Sequence, residues 1–127
     1  MPYAMHIPRA GGPDIFERTE VPRPVPGPGQ LLVRVAAAGV NFIETYQRAG
    51  VYAVEYPFVP GTEAAGTVEE VGAGVTGFVA GDRVTTLEGA GSYADFMVLD
   101  AGKVHPVPAG VSDEVATVRK FQKLVRA

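Results

Sequence analysis

The residues best suited to chemistry fall between Gly39 and Gly66, a stretch reading GVNFIETYQRAGVYAVEYPFVPGTEAAG. Asn41 and the pair Thr62-Glu63 form two polar clusters around a loop that holds Tyr46, Tyr52, Tyr56 and Phe58. An amide, a hydroxyl and phenols suit a flat, hydrogen-bonding ligand rather than nucleophilic attack. Each residue also has a plainer role. Asn41 can cap a helix, Glu63 can hold a loop as an acceptor, and the tyrosines can simply pack. Tyr46 follows Asn41 by about one and a half helical turns, so the two side chains need not share a face.

Other constellations are weaker. Gly72-Ala73-Gly74-Val75-Thr76-Gly77 matches the spelling of the dinucleotide fingerprint, which works only when it opens a helix facing a pyrophosphate. Here Gly81-Asp82, a hairpin signal, follows too soon for two helical turns, so the run is expected to be a β-turn. His6 and His105 lie far apart in strand-like segments, and the chain has no cysteine, so neither supports a metal site. Ser92 and Ser112 lie in no nucleophile elbow. Glu69 and Glu70 are strand neighbours expected to face opposite ways, so they form no acid–base dyad.

These residues must be positioned by a single domain of 127 residues. The 16 glycines and 11 prolines are spread along the chain, as many short strands and turns require. Strands are expected at Tyr3–Pro8, Ile15–Val21, Leu31–Val35, Ala64–Val71, Arg83–Leu87, Ser92–Leu99 and Lys103–Val107. A short helix is expected over Phe42–Ala49, with Asn41 as N-cap and Gly50 as a left-handed C-cap. Small residues at Ala36–Gly39 let something large pack closely, and Gly66 in its strand leaves room for close backbone approach. The fold class is mainly β, with strand spacing that fits a closed or partly closed barrel.

From Ser112 the pattern turns helical. Ser112 is a cap, Asp113 and Glu114 suit the positive end, and Arg119, Lys120, Lys123 and Arg126 suit the negative end. That charge run reads as a solvated helix face. A net charge of −3 points away from nucleic acid or a membrane surface as the main partner. No signal-peptide core or membrane-length apolar run is present, so a cytoplasmic location is expected.

The series GPGQLLVRVAAAGVNFIETYQRAGVY, PFVPGTEAAGTVEEVGAGV, GDRV and GSYADFMVL resembles the catalytic domain of zinc-independent NADPH:quinone oxidoreductases, zeta-crystallin-like members of the medium-chain dehydrogenase/reductase superfamily. The resemblance runs in order over residues 1–116. It implies a GroES-like, partly open β-barrel over residues 1–111, with short helices. It also implies that Asn41 and Tyr46 are catalytic, and that Tyr52, Thr62 and Glu63 line the cleft for nicotinamide and quinone. Zinc-dependent relatives carry cysteine where Asn41 stands and histidine where Thr62 stands, so no metal is implied. Family members continue into a Rossmann domain after the segment matching Val111–Ala116. Residues 112–127 are therefore expected to be a C-terminal helix left from that connection. The cofactor implied for the full-length family is NADPH, with none expected on this chain alone. The expectation is a substrate half that is inactive by itself; the alternative is a non-enzymatic GroES-like scaffold, or an interaction module that self-associates through its bared docking surface.

Overall fold

A computed structural model describes residues 2–117. The expected cations Arg119, Lys120, Lys123 and Arg126 lie outside the described residues. The chain runs β1 (Tyr3–His6), a 3-10 turn (Pro13–Ile15), β2 (Glu17–Glu20), β3 (Gln30–Ala38), α1 (Phe42–Ala49) and β4 (Ala64–Val71). It continues through β5 (Arg83–Thr86), β6 (Phe96–Asp100), a 3-10 turn (Ala101–Lys103), β7 (His105–Pro106) and α2 (Asp113–Ala116).

Two antiparallel sheets form, a β1–β2 ribbon and a five-stranded sheet in the order β6-β3-β4-β5-β7. They are stitched together by bridges at Ala4–Ala94 and Ile7–Phe58 rather than by a continuous ladder. The result is a mainly β, partly open arrangement. Alternation sets the core. Leu31 and Val33 of β3 meet Val68 of β4, Val84 of β5 and Met97 and Leu99 of β6 in one buried cluster.

The β3–β4 ladder carries two irregularities, between Leu32 and Val33 and between Val35 and Ala37. Such bulges bend and twist the sheet. Leu32 pairs with Glu70 and Val33 with Val68, so Glu69 is the extra residue at the first one. Strict alternation therefore fails for Glu69 and Glu70. Both reach the Arg23 guanidinium, at 3.7 and 3.5 Å, and form surface ion pairs. Gly66 is required by close approach, because a Cβ there would run into the Arg34 carbonyl.

The helix and the long strand β4 keep their expected bounds. Elsewhere, tertiary pairing lengthens the strand expected at Leu31–Val35 to Gln30–Ala38 and trims others. Pro13–Ile15 is a tight turn, so β2 starts only at Glu17. Residues 92–95 lie along Pro60–Gly61 and β1, so β6 begins at Phe96. The glycine run Gly72–Gly77 is a turn with positive φ at Gly74 and Gly77, and opens no helix. At the end of the described chain, Ser112 caps α2 by accepting from the Val115 N–H at 3.2 Å. Arg83 fastens α2 to the sheet through the Val111 carbonyl at 2.6 Å and Asp113 at 3.0 Å.

Candidate functional site

The site is built where β3 leaves its ladder. The last pair is Ala38–Ala64, and the Gly39 N–H then donates to the Glu63 carbonyl at 2.8 Å. This fastens the approach to α1 against the entry to β4, which brings Asn41 and Thr62-Glu63 to one end of the sheet. Gly39 permits the contact, since a Cβ there would lie 2.5 Å from Glu63 Oε2. Glu63 itself is buried, and its Oε1 meets no hydrogen-bond donor among the described residues. Thr62 is half-buried, and its carbonyl accepts from the Gly89 N–H at 2.9 Å.

Asn41 caps α1, as its sequence position predicts, through a reciprocal capping box with Glu44. The Asn41 side chain turns to the Glu44 N–H, and Glu44 Oε1 accepts the Asn41 N–H at 3.1 Å. The Glu44 N–H itself donates to the Asn41 backbone carbonyl at 3.1 Å, and the Asn41 carboxamide offers both a carbonyl acceptor and an NH2 donor. Beyond the helix middle, Tyr46 and Tyr52 meet edge to face at 5.7 Å between ring centroids, and both are about half exposed. Gly50, with φ of 85°, ends the helix, and the following N–H groups of Val51 and Tyr52 both fold back onto the Tyr46 carbonyl. Tyr56 donates to the Gln47 carbonyl at 2.7 Å, and Arg48 to the Gly11 carbonyl at 3.2 Å. Tyr56 is therefore a fastening for the loop.

Two shallow hollows adjoin α1. One of about 170 Å³ is lined by Val40, Asn41, Phe42 and Thr45. Another of about 150 Å³ is lined by Phe16, Val40, Glu44, Thr45, Arg48 and Tyr93. They share Val40 and Thr45. Of the expected site residues, only Asn41 lines either one. A larger hollow, about 340 Å³, lies elsewhere, between β1, the Pro22–Pro24 connection and β6. It is mostly apolar, with His6 its one ionisable lining residue, so it offers little to orient a ligand.

Two residues of the region escape sequence reasoning. Glu44 is 4% exposed, and its Oε1 also accepts from the Tyr93 hydroxyl at 2.7 Å. The Asn41-x-x-Glu44 spacing was a readable signal for the capping box, whereas nothing local marks Tyr93. Burial first, then the hydrogen bond and the charge of Glu44, raise the Tyr93 phenol well above its ordinary value, so it stays a neutral donor. Among the described residues no group of three or more histidines, cysteines or carboxylates is placed to hold a metal ion. No described helix is long and apolar enough to cross a membrane.

An antiparallel, partly open β domain with one short helix beside the end of its central ladder defines a recognisable class. Residues 27–109 match the alcohol dehydrogenase GroES-like domain, and the chain belongs to that family. Among its relatives, a 2-haloacrylate reductase from Burkholderia is 47% identical over 113 residues, covering 85% of this chain and 34% of that protein. A quinone oxidoreductase from Pseudomonas aeruginosa is 43% identical over 108 residues, covering 84% and 33% respectively. Escherichia coli quinone oxidoreductase, solved in complex with NADPH, superimposes with a TM-score of 0.88 at 35% identity, covering 92% of this chain and 36% of that one. The chain thus spans about a third of the length of these curated relatives.

Proposed function

We propose that this chain forms the substrate-side wall of an NADPH-dependent reductase of quinones or related activated alkenes, working in the cytoplasm without zinc. The observation that carries this reading is Asn41 at the start of α1, lining a hollow at the end of the β3–β4 ladder, with the half-exposed Tyr46–Tyr52 pair at the other end of the helix. Likeness to proteins named quinone oxidoreductase and 2-haloacrylate reductase supports it.

NADPH, when bound, supplies the hydride. The chain's residues then have a limited task. Reducing a quinone builds negative charge on its oxygen, and hydrogen-bond donors stabilise that charge. The Asn41 NH2 and the Tyr46 and Tyr52 hydroxyls are such donors. Thr62 and Glu63 shape the opposite side of the cleft. The described residues suit the ring end of a nicotinamide, but they hold no glycine loop opening a helix for its phosphates. Thiolate and imidazole ligands are replaced by an amide at Asn41 and a hydroxyl at Thr62, a donor set poorly matched to zinc. The domain therefore works with a dinucleotide-binding domain and is inactive alone.

The test is a calorimetric titration of the purified chain with NADPH, beside an NADPH oxidation assay with a simple quinone. Neither binding nor turnover is expected from the chain alone. Turnover by the isolated chain would refute the division of labour.

A second reading, a self-associating module, draws on the apolar surface near α1, where Val40, Phe42 and Val51 are each more than two-thirds exposed. Sedimentation velocity decides it, because a monomer at high concentration would remove it. Micromolar NADPH binding would also count against it.

A further inference from the structure

We propose that Tyr93 and Glu44 are positioning residues for Asn41, a brace that fixes the start of α1 from outside the helix; the role assigned to Asn41 rests on the function proposed above. Glu44 Oε1 is shared between two donors, the Asn41 N–H at 3.1 Å and the Tyr93 hydroxyl at 2.7 Å. A carboxylate this deeply buried has no cation to pair with in the hydrogen bonds it makes, so those donors carry its compensation. Glu44 Oε2 has no partner among the described residues, which leaves the load on Oε1.

Tyr93 is able to act as a fixed post because it is held by separate elements. Its N–H donates to the Pro60 carbonyl at 3.1 Å, and its own carbonyl accepts from the Met5 N–H at 2.8 Å. Its ring lies against Phe16 at 6.2 Å between centroids. Gly61 makes room for the 92–93 segment, since a Cβ there would overlap Ser92 Oγ and lie 2.8 Å from the Tyr93 ring. The position of the Tyr93 hydroxyl is thus set by β1 and the Pro60–Gly61 corner, and is passed through one carboxylate oxygen to the backbone of Asn41. An eight-residue helix with a largely exposed apolar side has little packing of its own to hold that geometry.

The experiment compares the whole chain with Tyr93→Phe, Glu44→Gln and a surface control, Tyr3→Phe, whose hydroxyl donates to Glu20. Amide hydrogen exchange is read at residues 41–45 and, as reference, at Leu31–Val33. Binding of 2-methyl-1,4-naphthoquinone is followed by NMR at the Asn41 side-chain NH2. Tyr93→Phe is expected to speed exchange at 41–45 by about tenfold, leave the β3 amides unchanged and weaken the quinone response by a similar factor. Glu44→Gln keeps an acceptor oxygen and should fall between, while Tyr3→Phe should match the parent.

Unchanged exchange at 41–45 in Tyr93→Phe would overturn the brace, as would a uniform rise across β3 and α1. If the parent chain shows no response to the quinone but exchange rises locally, the brace stands and the substrate-wall reading fails. Should Tyr93→Phe not fold, Glu44→Gln supplies the same local-against-global comparison, and parental exchange in it would sink the proposal.

Discussion

The β3–β4 ladder and the connection between those strands are built on opposite plans. In the ladder, Leu31, Leu32, Val33 and Val68 are all 1% exposed or less, and charges such as Arg34 point outward to Glu69. In the connection, Phe42 is 83% and Val51 71% exposed, while the carboxylates of Glu44 and Glu63 are buried. The ladder gains stability from apolar burial. The connection puts several apolar side chains on the surface and keeps two of its three acids inside, Glu55 being exposed. Such a stretch depends on the ladder to hold its shape, and its surface is available for a ligand or a covering domain.

The contrast can be broken most severely in the ladder. Gly66→Val would push a side chain into the Arg34 carbonyl, and is expected to cost roughly 4 kcal/mol or prevent folding. Leu32→Ala, in fully buried β3, should cost about 3 kcal/mol in urea unfolding.

Changes in the connection should be milder and more local. Tyr93→Phe should cost about 1.5 kcal/mol in the local opening of residues 41–45, with the β3 amides unchanged, since it takes one donor from a buried carboxylate. It should also alter the alkaline limb of a stability–pH curve. The folded phenol titrates above the 10.0 of an unperturbed tyrosine, so its contribution is complete below that pH and lost as pH rises beyond it. The variant should therefore lose stability less steeply than the parent above about pH 10. Smallest of all, Phe42→Ser should change the unfolding free energy in urea by no more than about 0.5 kcal/mol, because the ring is exposed. It should nonetheless reduce any concentration-dependent association. A large loss of stability from this substitution would erase the proposed distinction.

The sequence was most legible where local signals suffice. Asn41, an eight-residue amphipathic segment and Gly50 delimit α1 to the residue. The small-residue entry and following alternation delimit β4 equally well. The decoy glycine run was readable too, because Gly81-Asp82 leaves no room for a helix. Legibility failed where distant segments decide. Residues 92–95 have strand-like composition, but docking against Pro60–Gly61 and β1 takes them out of β6. Glu69 and Glu70 defied alternation because a bulge depends on the partner strand. At the site, residue types pointed to Asn41 and the tyrosines, yet Tyr93, 49 positions from Glu44, carried no mark of its involvement.

That separation also bears on the order in which the molecule is assembled. Closing a loop between Glu44 and Tyr93 has an entropic cost that must be met before the contact returns anything. The helical segment is complete in the nascent chain by Gly50, but the hydroxyl that steadies its first turn is made more than forty residues later. During synthesis, α1 has only its own capping box and water for Glu44 until β4, β5 and the 91–95 segment have been added. The last part of the site to settle is thus one of the first to be translated.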